Sequence, residues 1–62
     1  MIFDETLKNA VTKAQKTIQY DRLAYDYGIS PPTLRKAING EEIKQIRAIE
    51  ALNEIIKDFG NK

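Results

Sequence analysis

The sequence predicts an all-α domain of about four helices, the last of them long. Apolar residues recur at intervals of three and four along most of the chain, and capping residues and glycines stand where those runs begin and end. With 62 residues, 42% of them hydrophobic, the chain has enough apolar surface for one compact core and no room for a second domain, so residues 1–62 are read as a single unit. No internal repeat, low-complexity tract or linker divides it.

The first helix follows Asp4, which caps its first turn and places a carboxylate at the positive end of the helix dipole. Phe3, Leu7, Ala10, Val11 and Ala14 supply its apolar stripe. In the second helix Tyr20, Leu23, Ala24 and Tyr27 fall at i, i+3, i+4 and i+7, with Ile18 ahead of them as a hydrophobic staple and Gly28 as the stop. Ser30 is a good N-cap for the third helix, and Pro31 suits its first position because the missing N–H would have had no partner there. Leu34, Ala37 and Ile38 point inward, and Asn39-Gly40 ends the helix with glycine at the left-handed position. Asn-Gly also occurs in hairpins, but the flanking periods are helical and not alternating.

From Glu41 to Phe59 the chain reads as one helix of roughly 27 Å, with two carboxylates in its first turn and Gly60 after its end. Ile43, Ile46, Ile49, Leu52 and Ile55 are each three apart, so at about 100° per residue this stripe drifts by about 60° at every step. One flat contact cannot bury them all. The expectation is that the first part of the helix covers the core, while Leu52, Ile55, Ile56 and Phe59 face another direction and form a dimerisation surface. A homodimer would help a domain that buries only roughly 60% of the surface its unfolded chain exposes. The alternative is a purely intramolecular use of these residues, with a break near Arg47.

Composition narrows the function. The chain has no cysteine and no histidine, so disulfides, thiolate metal sites and most nucleophile, base and metal arrangements are missing. No Gly-rich phosphate loop is present, and the carboxylates sit at helix ends or solvated positions. An enzyme is therefore not expected, nor is a cofactor, a metal or a small-molecule ligand. The opening Met1-Ile2-Phe3-Asp4-Glu5 lacks the basic start and apolar run of a signal peptide, and no stretch approaches the ~20 apolar residues of a membrane span. The expectation is a soluble cytoplasmic protein. Net charge is only +1, but from Lys8 to Arg47 eight basic residues face four acidic ones, and the acidic excess lies at the two ends.

A helix-turn-helix needs two steeply crossing helices joined by a very short turn, with a small residue where they approach and a glycine where the backbone turns left-handed. Ala24 and Gly28 meet those needs, Ile29 can plug the core beneath the turn, and the motif runs from about Gln19 to Gly40. Leu23-Ala24-Tyr25-Asp26-Tyr27-Gly28-Ile29-Ser30 resembles the Leu-Ala-x-x-x-Gly-Ile/Val-Ser core of Cro/CI-type (XRE-like) phage repressors and their bacterial relatives. Leu34-Arg35-Lys36-Ala37-Ile38 is similar to a Cro-type recognition helix, and Ile38-Asn39-Gly40 resembles an ending common in the family. Close similarity covers about a third of the chain. Cro itself continues into β-strands after its third helix, whereas this chain reads as helical to Phe59, so the all-helical, lambda-repressor-like branch is the better comparison.

The resemblance implies a transcriptional repressor of a phage, bacterial or mobile element that binds double-stranded DNA as a homodimer at a two-fold symmetric operator. It assigns base contacts in the major groove to Pro32, Thr33, Arg35 and Lys36, and phosphate contacts to Gln19, Tyr20, Arg22, Asn39 and Lys44. Arg35 or Lys36 would donate to guanine O6 and N7, and Thr33 would donate a hydroxyl or touch a thymine methyl. The bland readings stand beside these: Arg35 and Lys36 as a solvated pair, Asn39 as a C-terminal cap, Tyr20 as core. Gln19 lies one place earlier than the glutamine usual in the family, and Pro31-Pro32 replaces the glutamine or serine with which recognition helices there often begin. Fewer direct base contacts at that end, and some reliance on DNA shape, follow. Two other functions fit the same scaffold: a protein-binding antirepressor or inhibitor module that uses Tyr25 and the terminal apolar face, and an excisionase-like architectural factor.

Overall fold

A computed structural model describes residues 1–60. They form four α-helices, α1 (Glu5–Ala14), α2 (Tyr20–Asp26), α3 (Pro31–Ile38) and α4 (Ile46–Ile55), followed by a π-helical turn at Ile56–Gly60. No strand occurs among these residues, and no helix is long and apolar enough to cross a membrane. Asp4 caps α1 by accepting the Thr6 amide at 2.9 Å, a bond that holds its carboxyl below the usual aspartate value. The expected stripe of Leu7, Ala10, Val11 and Ala14 is fully buried, with Phe3 tucked in ahead of it.

Both glycine stops take the form that only glycine adopts readily. Gly28 and Gly40 have φ of +79° and +82°. At the end of α2 the Ile29 amide donates to the Ala24 carbonyl and the Gly28 amide to Tyr25, both at 3.0 Å. At the end of α3 the Glu41 amide donates to Lys36 at 3.0 Å and the Gly40 amide to Ala37 at 3.2 Å. Each is the paired 6→1 and 5→2 closure of a Schellman motif, which satisfies the last carbonyls and reverses the chain. Ile29 then points back into the core, so the link from α2 to α3 is anchored by an apolar residue immediately after its glycine.

The last segment differs from the expected single helix. Glu41–Gln45 is not helical, and α4 begins at Ile46. Ile43 is buried in this non-helical stretch and pairs with Met1 in both directions: its amide donates to the Met1 carbonyl at 2.8 Å, and the Met1 amino nitrogen donates to its carbonyl at 2.7 Å. Within α4 the buried positions are Ala48, Ala51, Leu52 and Ile55, an i, i+3, i+4, i+7 stripe that does not drift. The drift belonged to the large residues alone. Ile46 is 74% exposed, while two alanines occupy the contact line.

This overturns the dimerisation surface expected at Leu52, Ile55, Ile56 and Phe59. Leu52 and Ile55 have no exposure within the single chain, and Ile56 and Phe59 are half-buried against the same core. The break before Ile46 resets the phase of the helix, and the wider π-turn lays Ile56–Gly60 against α1, where a Cβ on Gly60 would meet that of Ala10 at an ordinary contact distance of 3.6 Å. All the buried residues are apolar, and no buried side-chain nitrogen or oxygen among the described residues lacks a partner.

Gly28→Ala and Gly40→Ala should each cost about 1 kcal/mol in urea unfolding, although the added methyl meets nothing within 4 Å at either position, because the cost is one of backbone conformation. Leu52→Glu should unfold the chain as followed by circular dichroism. A Leu52→Glu protein that is folded and monomeric where the parent is a dimer would return this residue to an intersubunit role.

Candidate nucleic-acid interface

The surface built on α2 and α3 starts from the cap of α3. The Ser30 hydroxyl accepts the Thr33 amide at 3.4 Å and lies 2.8 Å from the Thr33 hydroxyl, so the two side chains close the first turn together. Pro31 and Pro32 occupy the first two helical positions, where no amide is needed. Leu34 and Ala37 are fully buried and Ile38 half-buried, which turns the opposite side of α3 to solvent. Pro32, Arg35, Lys36 and Asn39 are exposed there. Tyr27–Gly40 contains no acidic residue, so the only charges on this stretch are those of Arg35 and Lys36.

Thr33 differs from the expected base donor. It is half-buried and its hydroxyl is engaged with Ser30, which leaves chiefly its methyl group for a ligand. Thr33 and Lys36 also line a shallow cleft whose other wall is Glu42, Ile43, Lys44 and Gln45. The non-helical segment thereby brings Lys44 to the same cleft as Lys36. The same segment adds Glu42, an opposing charge that the sequence reading had placed in a helical first turn; its carboxylate lies 4.0 Å from the Met1 amino group.

The other phosphate candidates are distributed along α2. Gln19 is the N-cap residue but makes no side-chain capping bond, so its amide faces solvent. Arg22 lies 3.9 Å from Asp26 one turn later, with most of its side chain exposed, and Gln19 and Arg22 border one shallow depression with Thr17 and Ile18. A pair this exposed contributes little to stability and yields readily to a phosphate. Asn39 is the C-cap of α3, its amide bonded to the Arg35 carbonyl at 3.0 Å, in keeping with the capping role.

Tyr20 does more than either sequence reading allowed. It is half-buried, its hydroxyl donates to the Pro31 carbonyl at 3.4 Å, and its ring lies under the Arg35 guanidinium, 5.8 Å from ring centroid to Cζ. Burial pushes the hydroxyl above its ordinary value, against the opposing effect of Arg35. The start of α2 is thus fastened to the start of α3, and the cation on the open face rests on an aromatic plate. Nothing in the spacing of Tyr20 and Arg35 announces this, because their meeting depends on how the two helices cross.

No family model, no curated protein and no solved structure matches the chain.

The far end of α2 is held as well. The Tyr27 hydroxyl donates to the Asp58 carboxylate at 2.5 Å, across 31 residues of sequence. Burial, then the Asp58 bond and charge, raise the Tyr27 hydroxyl from 10.0 to about 12. The folded chain keeps this proton more tightly than the unfolded one. The contribution is therefore complete below pH 10 and fades as pH climbs towards 12. Urea unfolding across that window should show the parent losing more stability than Tyr27→Phe. Equal losses would mean that the contact is not formed in solution.

Proposed function

We propose that this chain is a sequence-specific double-stranded DNA-binding regulator in which α2 and α3 work as a helix-turn-helix and α3 enters the major groove. The observation that carries this reading is the polarity of α3. One side is locked to the core by Leu34 and Ala37, and the other presents Pro32, Arg35, Lys36 and Asn39 with no acidic residue from Tyr27 to Gly40. A helix of eight residues is roughly 12 Å long, and the major groove is roughly 12 Å wide, so the whole open side of α3 can reach base edges. The resemblance of Leu23–Ser30 and Leu34–Ile38 to Cro/CI-type repressors supports the same reading, and with it a role in repression.

Roles within the surface follow from chemistry. Arg35 or Lys36 donates to guanine O6 and N7, and the Pro32 ring and Thr33 methyl contact thymine methyls or sugar edges. Gln19, Arg22 and Lys44 contact phosphates from the two flanks of α3. The unit proposed is the single domain, and two copies side by side on DNA would call for half-sites about one helical turn apart. Catalysis forms no part of the reading. A protein-binding role retains one supporting feature, the 67% exposed ring of Tyr25 on α2, but loses the terminal apolar face on which it also relied. An excisionase-like role would use the same DNA contacts.

Selection of bound sequences from random duplex DNA should return a defined motif, and Arg35→Ala should then lose about 1–3 kcal/mol of preference for it over unrelated duplex. Arg22→Ala should weaken binding to all sequences alike and lower the salt slope by about 1. Duplex binding that ignores salt and survives loss of both Arg35 and Lys36 would end this reading.

A further inference from the structure

We infer that Tyr20 is a specificity-determining residue: it holds the Arg35 guanidinium in one orientation, and so makes the chain read one guanine in its binding site. This inference rests on the DNA-binding reading above. An arginine on an exposed helix face ordinarily samples many rotamers, and ordering it upon binding costs free energy that a correct base must first repay. Here the side chain has a platform. The guanidinium Cζ lies 5.8 Å from the ring centroid, within cation–π range, and a guanidinium has five N–H groups, so those not turned towards Tyr20 stay available. Those donors are the ones that match guanine O6 and N7 in a bidentate contact.

The platform is itself fixed. Tyr20 is half-buried at the first position of α2, packs against the core, and reaches across the turn to the Pro31 carbonyl at 3.4 Å. Pro31 is the first residue of α3, four positions before Arg35, so ring, helix start and guanidinium form one unit. Lys36 has no aromatic partner of this kind among the described residues and presents a flexible point charge, suited to attraction and not to choice of base. The division of labour is therefore Arg35 for base identity, set by Tyr20, and Lys36 for affinity.

Two measurements test this. In the free protein, the Arg35 δ protons should show an upfield ring-current shift in NMR spectra that Tyr20→Phe keeps and Tyr20→Leu loses; Arg35 resonances at unstructured values in the parent would overturn the inference without touching the DNA reading. For binding, the parent, Tyr20→Phe, Tyr20→Leu and Arg35→Ala are each put through selection from the same random duplex library, with helicity checked first by circular dichroism. One guanine position should be lost in Arg35→Ala, kept in Tyr20→Phe, and weakened roughly two- to fivefold in Tyr20→Leu while the other positions stand. Full retention of that guanine in a folded Tyr20→Leu protein overturns the inference alone. Failure of the parent to select any sequence overturns the inference and the DNA reading together.

Discussion

The apolar face of α1 is the constraint on which the rest of this structure depends. Leu7, Ala10, Val11 and Ala14 have almost no exposure, and against them pack α3, α4 and the terminal turn. Two of the four are alanines, and Gly60 of the terminal turn packs in contact with one of them, Ala10. Without a cysteine the chain has no disulfide to lean on, so stability rests on apolar burial, with no buried polar side chain among the described residues to offset it. Because α3 is clamped through Leu34 and Ala37, its opposite side has no freedom to turn inward, and the charged residues there are exposed by necessity.

The interface is stiff for a related reason. Its two helices are short, seven and eight residues, and neither would persist alone in water. They hold because their ends are closed: Ser30 with Thr33 at the start of α3, left-handed glycines after both helices, Tyr20 on the Pro31 carbonyl, and Tyr27 on Asp58 at the far end of α2. Each closure uses a polar group that would otherwise seek water. Together they turn two marginal helices into a common support beneath the guanidinium of Arg35.

The segment Glu41–Gln45 links the core to this surface. By leaving the helix, it lets Ile43 enter the core beside Met1, resets the phase of α4, and brings Lys44 to the same shallow cleft as Lys36. The same departure hides Leu52 and Ile55. A chain that buries Leu52 and Ile55 internally needs no partner copy to cover them.

Local chemistry in the sequence determined much of this: the all-helical class, the starts of α1 and α3 at Asp4 and Ser30, the stops at Gly28 and Gly40, and the open face of α3 opposite Leu34 and Ala37. Such features are decided by groups a few residues apart, through caps, left-handed glycine and the helical period. Tertiary structure alone decided the rest. The break, which the drifting stripe allowed near Arg47 as the alternative, falls before Ile46; Glu41 and Glu42 are good first-turn residues and Ile43 fits a helical count, but burial of Ile43 and its pairing with Met1, forty-two positions away, hold this stretch out of the helix. The contact line of α4 was missed because Ala48 and Ala51 weigh less in a hydrophobic pattern than Ile46 and Ile49, although close packing prefers the small side chains. Tyr20 under Arg35 and Tyr27 on Asp58 were likewise invisible, since each depends on the angle at which helices meet, and that angle is a property of the assembled core.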